Sequence, residues 1–206
     1  MVAREEQRGR GDPVQIVTKV VVTEDLESPH VARPVDPLRA LQEVLDVIRM
    51  GVWAVENSRD SLFDAMQRRE VFATSGPRIV PRLFAGAALP ESVCEGEFAA
   101  AGYAAGVPMG GVIEGRLEAS PLFAAAVSAD PRSGLLQRLQ VVKVWHGGDG
   151  NFHQAVHDIA GNRDNGARVS LDDCSVSGPG DTQFCATWRD PDFDPAQPAA
   201  FYVRVV

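Results

Sequence analysis

Apolar residues change their spacing once along the chain, near Glu70. Before that point they recur at helical spacing in two segments, which predicts two amphipathic helices. The first segment covers residues 37–50, after an Asp36-Pro37 start, and the second begins at Asn57 or Ser58 and has basic residues in its last turn. The apolar positions are Leu38, Leu41, Val44, Leu45 and Ile48 in the first segment and Leu62, Phe63, Ala65 and Met66 in the second. Ahead of both, the β-branched residues of 14–23 predict one strand.

After Glu70 the pattern changes to alternation at every second position, which is typical of strands. The predicted strands cover residues 71–74, 79–84, 122–128, 136–146, 152–159, 167–171, 184–188 and 201–206. Gly147-Gly148-Asp149-Gly150 indicates a hairpin, whereas the Gly/Ala/Pro-rich stretch up to Gly115 has no predicted element. We therefore expect an α+β fold in which one or two N-terminal helices pack on a mainly antiparallel, β-sandwich-like domain.

Length and charge narrow the class of protein. The 206 residues, of which 45% are hydrophobic, suffice for one domain with its own core. A net charge of −8 argues against a nucleic-acid partner, because phosphate binding requires a basic face. No apolar run reaches the roughly 20 residues of a membrane-spanning helix, and residues 1–12 lack the apolar core of a secretory signal. The strand over 201–206 has no closing turn, which suggests a chain cut from a longer one.

Three cysteines are too few for a disulfide scaffold and are wrongly spaced for a zinc ribbon. Cys174 and Cys185 flank a turn-rich segment and form the predicted disulfide, with two small buried thiols as the alternative. A bridge across that loop would stabilise the fold by about 3 kcal/mol. Cys94 is expected to stay free. A bonded pair would indicate a periplasmic or secreted protein, because the cytosol keeps thiols reduced.

Two groups of residues resemble metal ligands, and each has a structural alternative. His153 and His157 have the spacing of a zinc-binding helix pair, but in a strand this spacing puts them about 13 Å apart, so hairpin surface histidines are expected. Asp190, Asp192 and Asp194 match the first three ligands of a calcium loop without its glycine and glutamate. A structured acidic loop is therefore expected there. Neither group predicts a metal or other cofactor in this chain.

Glu56 and Arg78 are the candidate substrate-proximal residues. Glu56 lies just before the second helix and Arg78 just after a Gly-Pro turn, and such junctions commonly display binding groups. Pro77 fixes the backbone of that turn, which aims Arg78 at the seam between the helical part and the β part. The alternatives are a pair between the two side chains or exposure of both to solvent. The sequence has no nucleophile elbow and no phosphate-binding loop, and no catalytic residue is predicted.

Four motifs together resemble one protein family. Residues 51–78 (GVWAVENSRDSLFDAMQRREVFATSGPR) closely resemble a segment of the domain-of-unknown-function family 3604. GVPMGG at 106–111, LQVVKVW at 139–145 and WRDPDFDPAQP at 188–198 resemble further segments of it in the same order, and the positions of Cys174 and Cys185 also fit. The resemblance divides the chain into a poorly matched N-terminal appendage with one amphipathic helix, residues 1–50, and a family-like helix with a C-terminal β domain, residues 51–206.

The resemblance implies the C-terminal part of a larger protein similar to metal-dependent hydrolases of the amidohydrolase and polymerase-histidinol-phosphatase kind. The histidine and aspartate ligands of a divalent metal then lie upstream of the matched region, and the helix over 58–69 would close the upstream barrel. In that architecture Arg78 would face an anionic group of the substrate. The expected function is an accessory or remnant domain that is not catalytic alone, and its expected partner is the missing catalytic half or a second copy.

Two other functions remain open at this point. One is a metal-dependent phosphate or sulfate ester hydrolase, with a metal site built from His153, His157 and the C-terminal aspartates. The other is a β-sandwich module that binds a carbohydrate or a protein. Clustered and exposed tryptophans at positions 53, 145 and 188 would favour the module, and their burial would count against it.

Overall fold

The computed structural model describes residues 14–16, 48–115, 117–173 and 175–206, which form a mostly β protein. The strands are β1 (Val14–Ile16), β2 (Ile48–Val52), β3 (Val71–Ser75), β4 (Val80–Gly86), β5 (Val107–Pro108), β6 (Val112–Ile113), β7 (Leu122–Ser128), β8 (Arg138–His146), β9 (Phe152–Gly161), β10 (Arg168–Val169), β11 (Val176–Ser177), β12 (Gln183–Trp188) and β13 (Ala199–Val205). The helices are α1 (Arg59–Gln67), a 3-10 helix (Glu91–Glu95) and α2 (Phe98–Ala105).

The strands of the described ranges form two larger sheets and two ribbons. The four-stranded sheet has the order β12–β7–β4–β5, and all its pairs are antiparallel. The five-stranded sheet has the order β6–β1–β13–β8–β9, in which only β1 and β13 are parallel. The ribbons are β2–β3 and β10–β11. The predicted hairpin is confirmed, because β8 pairs with β9 on either side of residues 147–150.

The apolar core has two parts, which lie on the two faces of the four-stranded sheet. Successive strand residues point to opposite faces, so Leu83 joins one part and Phe84 the other. The first part contains Phe123 from the four-stranded sheet and Val141 and Phe201 from the five-stranded sheet. The second part is covered by the 3-10 helix and α2. Because both faces of this sheet are covered, the sequences of its central strands are almost continuously apolar and do not alternate between apolar and polar residues.

The two predicted helices have different outcomes. The second is confirmed as α1, which begins after Ser58, and the Ser58 side chain caps it by accepting a hydrogen bond from the backbone N–H of Ser61 at 3.3 Å. Arg68 is the cap residue that follows the last turn. The first predicted helix is wrong at its end, since residues 48–50 belong to β2, where they pair with β3. Residues 37–47 lie outside the described residues, as do residues 17–23 of the predicted first strand.

The predicted α+β class, with helices packed on a sandwich-like domain, is wrong. Of the described residues, 42% lie in strands and 14% in helices, and the two short α-helices found there accompany several small antiparallel sheets. The helix α1 buries only Ala65, so it does not form a layer on a sheet. The other helix, α2, lies in the stretch where no element was predicted. Its sequence FAAAGYAA is apolar on all sides and therefore has no amphipathic period to detect.

Gly102 allows α2 to approach the four-stranded sheet closely. A Cβ atom at this position would lie 2.3 Å from Cδ2 of Phe84, whose ring is buried between Phe98 and Tyr103. An alanine inside a helix normally stabilises it by about 1 kcal/mol relative to glycine, but overpacking a buried ring costs about 1–3 kcal/mol.

Gly102→Ala is therefore expected to lower the free energy of unfolding by up to about 2 kcal/mol in urea denaturation, because the clash outweighs the gain in helix propensity. The control is Gly148→Ala in the β8–β9 turn, where a Cβ atom would meet no atom within 4 Å, so a change below about 0.5 kcal/mol is expected. Equal stability of Gly102→Ala and the parent would show that the Phe84 ring can move aside.

Candidate functional site

The helix α1 presents apolar side chains that the described residues leave uncovered. Phe63 is 56% exposed and Met66 is 42% exposed, whereas Ala65 is fully buried. Together with Leu62 and residues 57–60, they line an open pocket of about 760 Å³. We call Leu62, Phe63 and Met66 the α1 face. Exposed apolar clusters of this kind mark interaction surfaces more often than isolated exposed residues do.

The C-terminal end of α1 is held in place by a buried carboxylate. Glu70 is 3% exposed and accepts a hydrogen bond from Nε of Arg68 at 2.7 Å on one oxygen and from the hydroxyl of Tyr103 at 2.5 Å on the other. Arg69, which lies between Arg68 and Glu70 in the sequence, has a φ of 62°, and its backbone lies directly against Gly110. Both carboxylate oxygens are thus satisfied, and Glu70 ties α1 to α2.

Next to this carboxylate, Arg82 of β4 is fixed between aromatic rings. Its guanidinium carbon lies 3.9 Å from the ring centroid of Trp53, and its Nη2 donates to the Tyr103 hydroxyl at 3.2 Å. Trp53 is held in turn by a hydrogen bond from its Nε1 to the carbonyl of Pro81 at 3.2 Å. We call Trp53, Glu70, Arg82 and Tyr103 the Arg82 cluster.

The phenol of Tyr103 is kept protonated. Burial, and next the hydrogen bond to Glu70, raise the pKa of Tyr103 above its ordinary value. Its hydroxyl therefore donates to Glu70 and accepts from Arg82 at neutral pH. The order of hydrogen bonds from Arg82 through Tyr103 to Glu70 is fixed by this chemistry.

The predicted residues Glu56 and Arg78 are not brought together. Both are exposed, and in the described part of the chain neither side chain pairs with the other. The backbone N–H of Glu56 donates to Oγ of Ser61 at 3.3 Å, and that of Arg78 donates to Oδ2 of Asp130 at 2.8 Å. The arginine that the structure fixes between aromatic rings is Arg82. It could have been noticed as the one charged side chain in the predicted strand over 79–84. The substrate-proximal role of Glu56 and Arg78 stays a prediction.

The turn at Arg78 is expected to loosen in acid. Asp130 accepts hydrogen bonds from the backbone N–H groups of Arg78 and Arg132. These bonds, the one from Arg78 most of all, lower the pKa of Asp130 below its ordinary value. Because the folded pKa lies below the unfolded one, the stabilisation is present above the unfolded pKa and is lost as the pH falls through the folded pKa. A ¹³C NMR titration should place the pKa of the Asp130 carboxyl below the ordinary value of an aspartate, and titration at the ordinary value would contradict the prediction.

The candidate metal ligands have separate partners. Asp190 accepts from Nζ of Lys143 at 2.6 Å, His153 lies 3.0 Å from a carboxylate oxygen of Asp149, and His157 packs on the ring of Trp188. In the described ranges no three histidine, cysteine or acidic side chains are grouped so as to hold a metal ion. The aspartate loop is structured by its own hydrogen bonds, since Asp190 accepts from the backbone N–H of Asp192 and Asp194 from that of Ala196.

The disulfide prediction is wrong in its partner. Cys185 is bonded to Cys94, which was predicted to be free, and the two are 91 positions apart in sequence. Cys185 lies on β12, at the edge of the four-stranded sheet, and Cys94 lies in the 3-10 helix that covers the outer face of that sheet. Short sequence separation from Cys174 was therefore misleading. Cys174 itself lies outside the described residues. A disulfide is compatible with an extracellular location.

The three tryptophans do not form an exposed cluster. Each is half-buried and packs against the first part of the core. Trp53 is covered by Arg82, Trp145 stacks on His153, and Trp188 contacts Phe123 with the ring centroids 5.5 Å apart. The feature that would favour a carbohydrate-binding module is thus not found at these positions.

These observations define a mostly β protein with an arginine–aromatic cluster beside an uncovered helix. Residues 43–206 match the profile of the family described as protein of unknown function, DUF3604, and the chain belongs to that family. This range contains the region predicted to resemble the family, residues 51–206. Searches of the curated proteins and of the solved structures each found no significant match. No helix of the described residues is long and apolar enough to cross a membrane.

Proposed function

We propose that this chain is an accessory, non-catalytic domain of a larger hydrolase-like protein, and that its α1 face packs against the catalytic half. The observation that carries the proposal is the exposure of Phe63 and Met66 on a helix that buries only Ala65. Fully burying such side chains is worth about 1.5–3 kcal/mol each, so a partner surface would stabilise the helix substantially.

The α1 face is presented in a fixed position, which favours docking over incidental exposure. A helix of nine residues is marginal by itself and depends on its surroundings. Here Ser58 caps its start, and the Arg68–Glu70 and Tyr103–Glu70 hydrogen bonds hold its end against the β part. A preordered surface loses less conformational entropy when it binds.

The resemblance to the family supports separate roles for the upstream half and for this chain. A divalent metal and its ligands are implied for the upstream half of the family, and this chain would supply the surface that closes the barrel. The alternative of an ester hydrolase would need His153, His157 and the C-terminal aspartates to converge, whereas His153, His157 and Asp190 contact three different partners. The Cys94–Cys185 bond supports a periplasmic or secreted location for the protein.

Complex formation tests the proposal. The chain is mixed with the upstream half of a larger family member, produced separately, and the mixture is analysed by size-exclusion chromatography with light scattering. We expect a one-to-one complex, and the Phe63→Asp/Met66→Asp variant should weaken it at least tenfold. Phe152→Asp/Leu171→Asp is the matched control, because these residues are 81% and 78% exposed outside α1. No complex, or equal loss in both variants, would contradict docking through α1, and a dimer of the chain abolished by the α1 variant would assign the face to self-association.

A further inference from the structure

Arg82 has hydrogen-bond donors that the described residues do not use. A guanidinium carries five N–H groups in one plane. One N–H, on Nη2, donates to Tyr103, and within the described residues Arg82 has no other hydrogen bond and no carboxylate partner. The neighbouring Glu70 is already satisfied by Arg68 and Tyr103. The positive charge of Arg82 therefore faces no direct counter-ion in this part of the chain.

The guanidinium is also held in one orientation. Trp53 covers one of its faces at 3.9 Å, and the rings of Tyr103 and Phe84 lie 5.2 Å and 5.9 Å from its central carbon. An aromatic ring on the face leaves the edge of the guanidinium plane for acceptors. Because the side chain is already ordered by these contacts, a ligand at that edge would meet little entropic cost on the protein side.

We infer that Arg82 is the binding residue of an oxyanion site on the outer face of the four-stranded sheet. A planar fork of N–H donors matches the two oxygens of a carboxylate, a sulfate or a phosphate better than it matches a neutral group. Free inorganic oxyanions and acidic groups on small organic molecules share this chemistry. Trp53 and Tyr103 position the guanidinium, and Glu70 positions Tyr103. The site is separate from the α1 face and does not depend on docking there.

Titration with sulfate tests the site. The probe is sodium sulfate, added at constant ionic strength because surface electrostatics are screened by salt. ¹⁵N NMR follows the Nε–Hε signal of Arg82 and the indole signal of Trp53. Saturable shifts at these two groups are expected. Arg82→Lys should weaken the affinity about tenfold, since an ammonium cannot offer two parallel donors. Arg132→Lys is the matched control at an exposed arginine and should leave the affinity unchanged.

The remaining outcomes also decide the matter. Parallel titrations with acetate and phosphate separate a carboxylate from a tetrahedral oxyanion as the preferred ligand, and either preference supports the site. Shifts that do not saturate, or equal affinities of Arg82→Lys and Arg132→Lys, would overturn it. Unchanged backbone signals in Arg82→Lys show that the fold is retained. The Phe63→Asp/Met66→Asp variant should bind sulfate like the parent, so failure of the docking proposal leaves this inference intact.

Discussion

Replacing Cys94 by serine is expected to lower the free energy of unfolding by about 4–5 kcal/mol. The Cys94–Cys185 bond closes a loop of 91 positions, and the loss of chain entropy in the unfolded state grows with loop length. The bond also fastens the 3-10 helix over the buried side chains of Phe84, Leu122 and Ala124. Removal of the bond therefore destabilises the fold in two ways. It increases the entropy of the unfolded chain, and it loosens the 3-10 helix that covers the outer face of the four-stranded sheet.

Urea denaturation without reductant measures this effect. Reduction of the parent protein should reproduce the midpoint of Cys94→Ser, whereas Cys174→Ser should unfold with the parent because the bond does not involve Cys174. Peptide mapping under non-reducing conditions should recover Cys94 linked to Cys185. A Cys174–Cys185 peptide, or a Cys94→Ser variant as stable as the parent, would contradict this pairing.

Asp190→Ala is expected to destabilise the fold by about 3–5 kcal/mol. The side chains of Lys143 and Asp190 are 5% and 0% exposed, and their charged atoms lie 2.6 Å apart. Removing one partner leaves the other charge buried without compensation, which costs more than the pair itself contributes. The carbonyl of Asp192, 2.9 Å from Nζ of Lys143, compensates only part of that loss.

Two further variants separate the ion pair from the loop that carries it. Asp194→Ala removes an acceptor of the same loop. The Asp194 side chain accepts a hydrogen bond from the backbone N–H of Ala196, and its loss should cost less than about 1.5 kcal/mol. Lys143→Met combined with Asp190→Leu removes both charges and should recover most of the stability lost in Asp190→Ala. Equal losses in Asp190→Ala and Asp194→Ala, measured in urea, would contradict the special role of the buried pair.

The elements predicted correctly from the sequence are those that a local residue pattern determines. The strand over 122–128 has the predicted bounds, and the β8–β9 hairpin follows from the Gly-Gly-Asp-Gly turn. The start of α1 follows from Ser58, whose side chain caps the helix. In contrast, α2 was missed because a helix that is small and apolar on every side shows no polar face. Residues 48–50 continue a helical apolar period, yet pairing with β3 makes them a strand.

The candidate site was predictable only in part, because its contacts connect distant positions. Glu70 and Tyr103 are 33 positions apart, and Lys143 and Asp190 are 47 apart. Local spacing contains no information on such pairs. Arg78 is the arginine that the Gly-Pro turn predicts at a fixed position, but it is exposed, and the arginine held between Trp53 and Tyr103 is Arg82. The disulfide was assigned wrongly for the same reason, since its partner is distant in sequence and near in space.

Hydrolysis of p-nitrophenyl phosphate and p-nitrophenyl sulfate tests the accessory role most directly. The chain alone, the upstream half alone and their mixture are assayed with Mg²⁺, Mn²⁺ or Zn²⁺ added. The accessory role predicts no turnover by the chain above the blank. It also predicts that the mixture is more active than the upstream half alone and that the Phe63→Asp/Met66→Asp variant removes this gain. Turnover by the purified chain that depends on metal and persists through further purification would contradict the account.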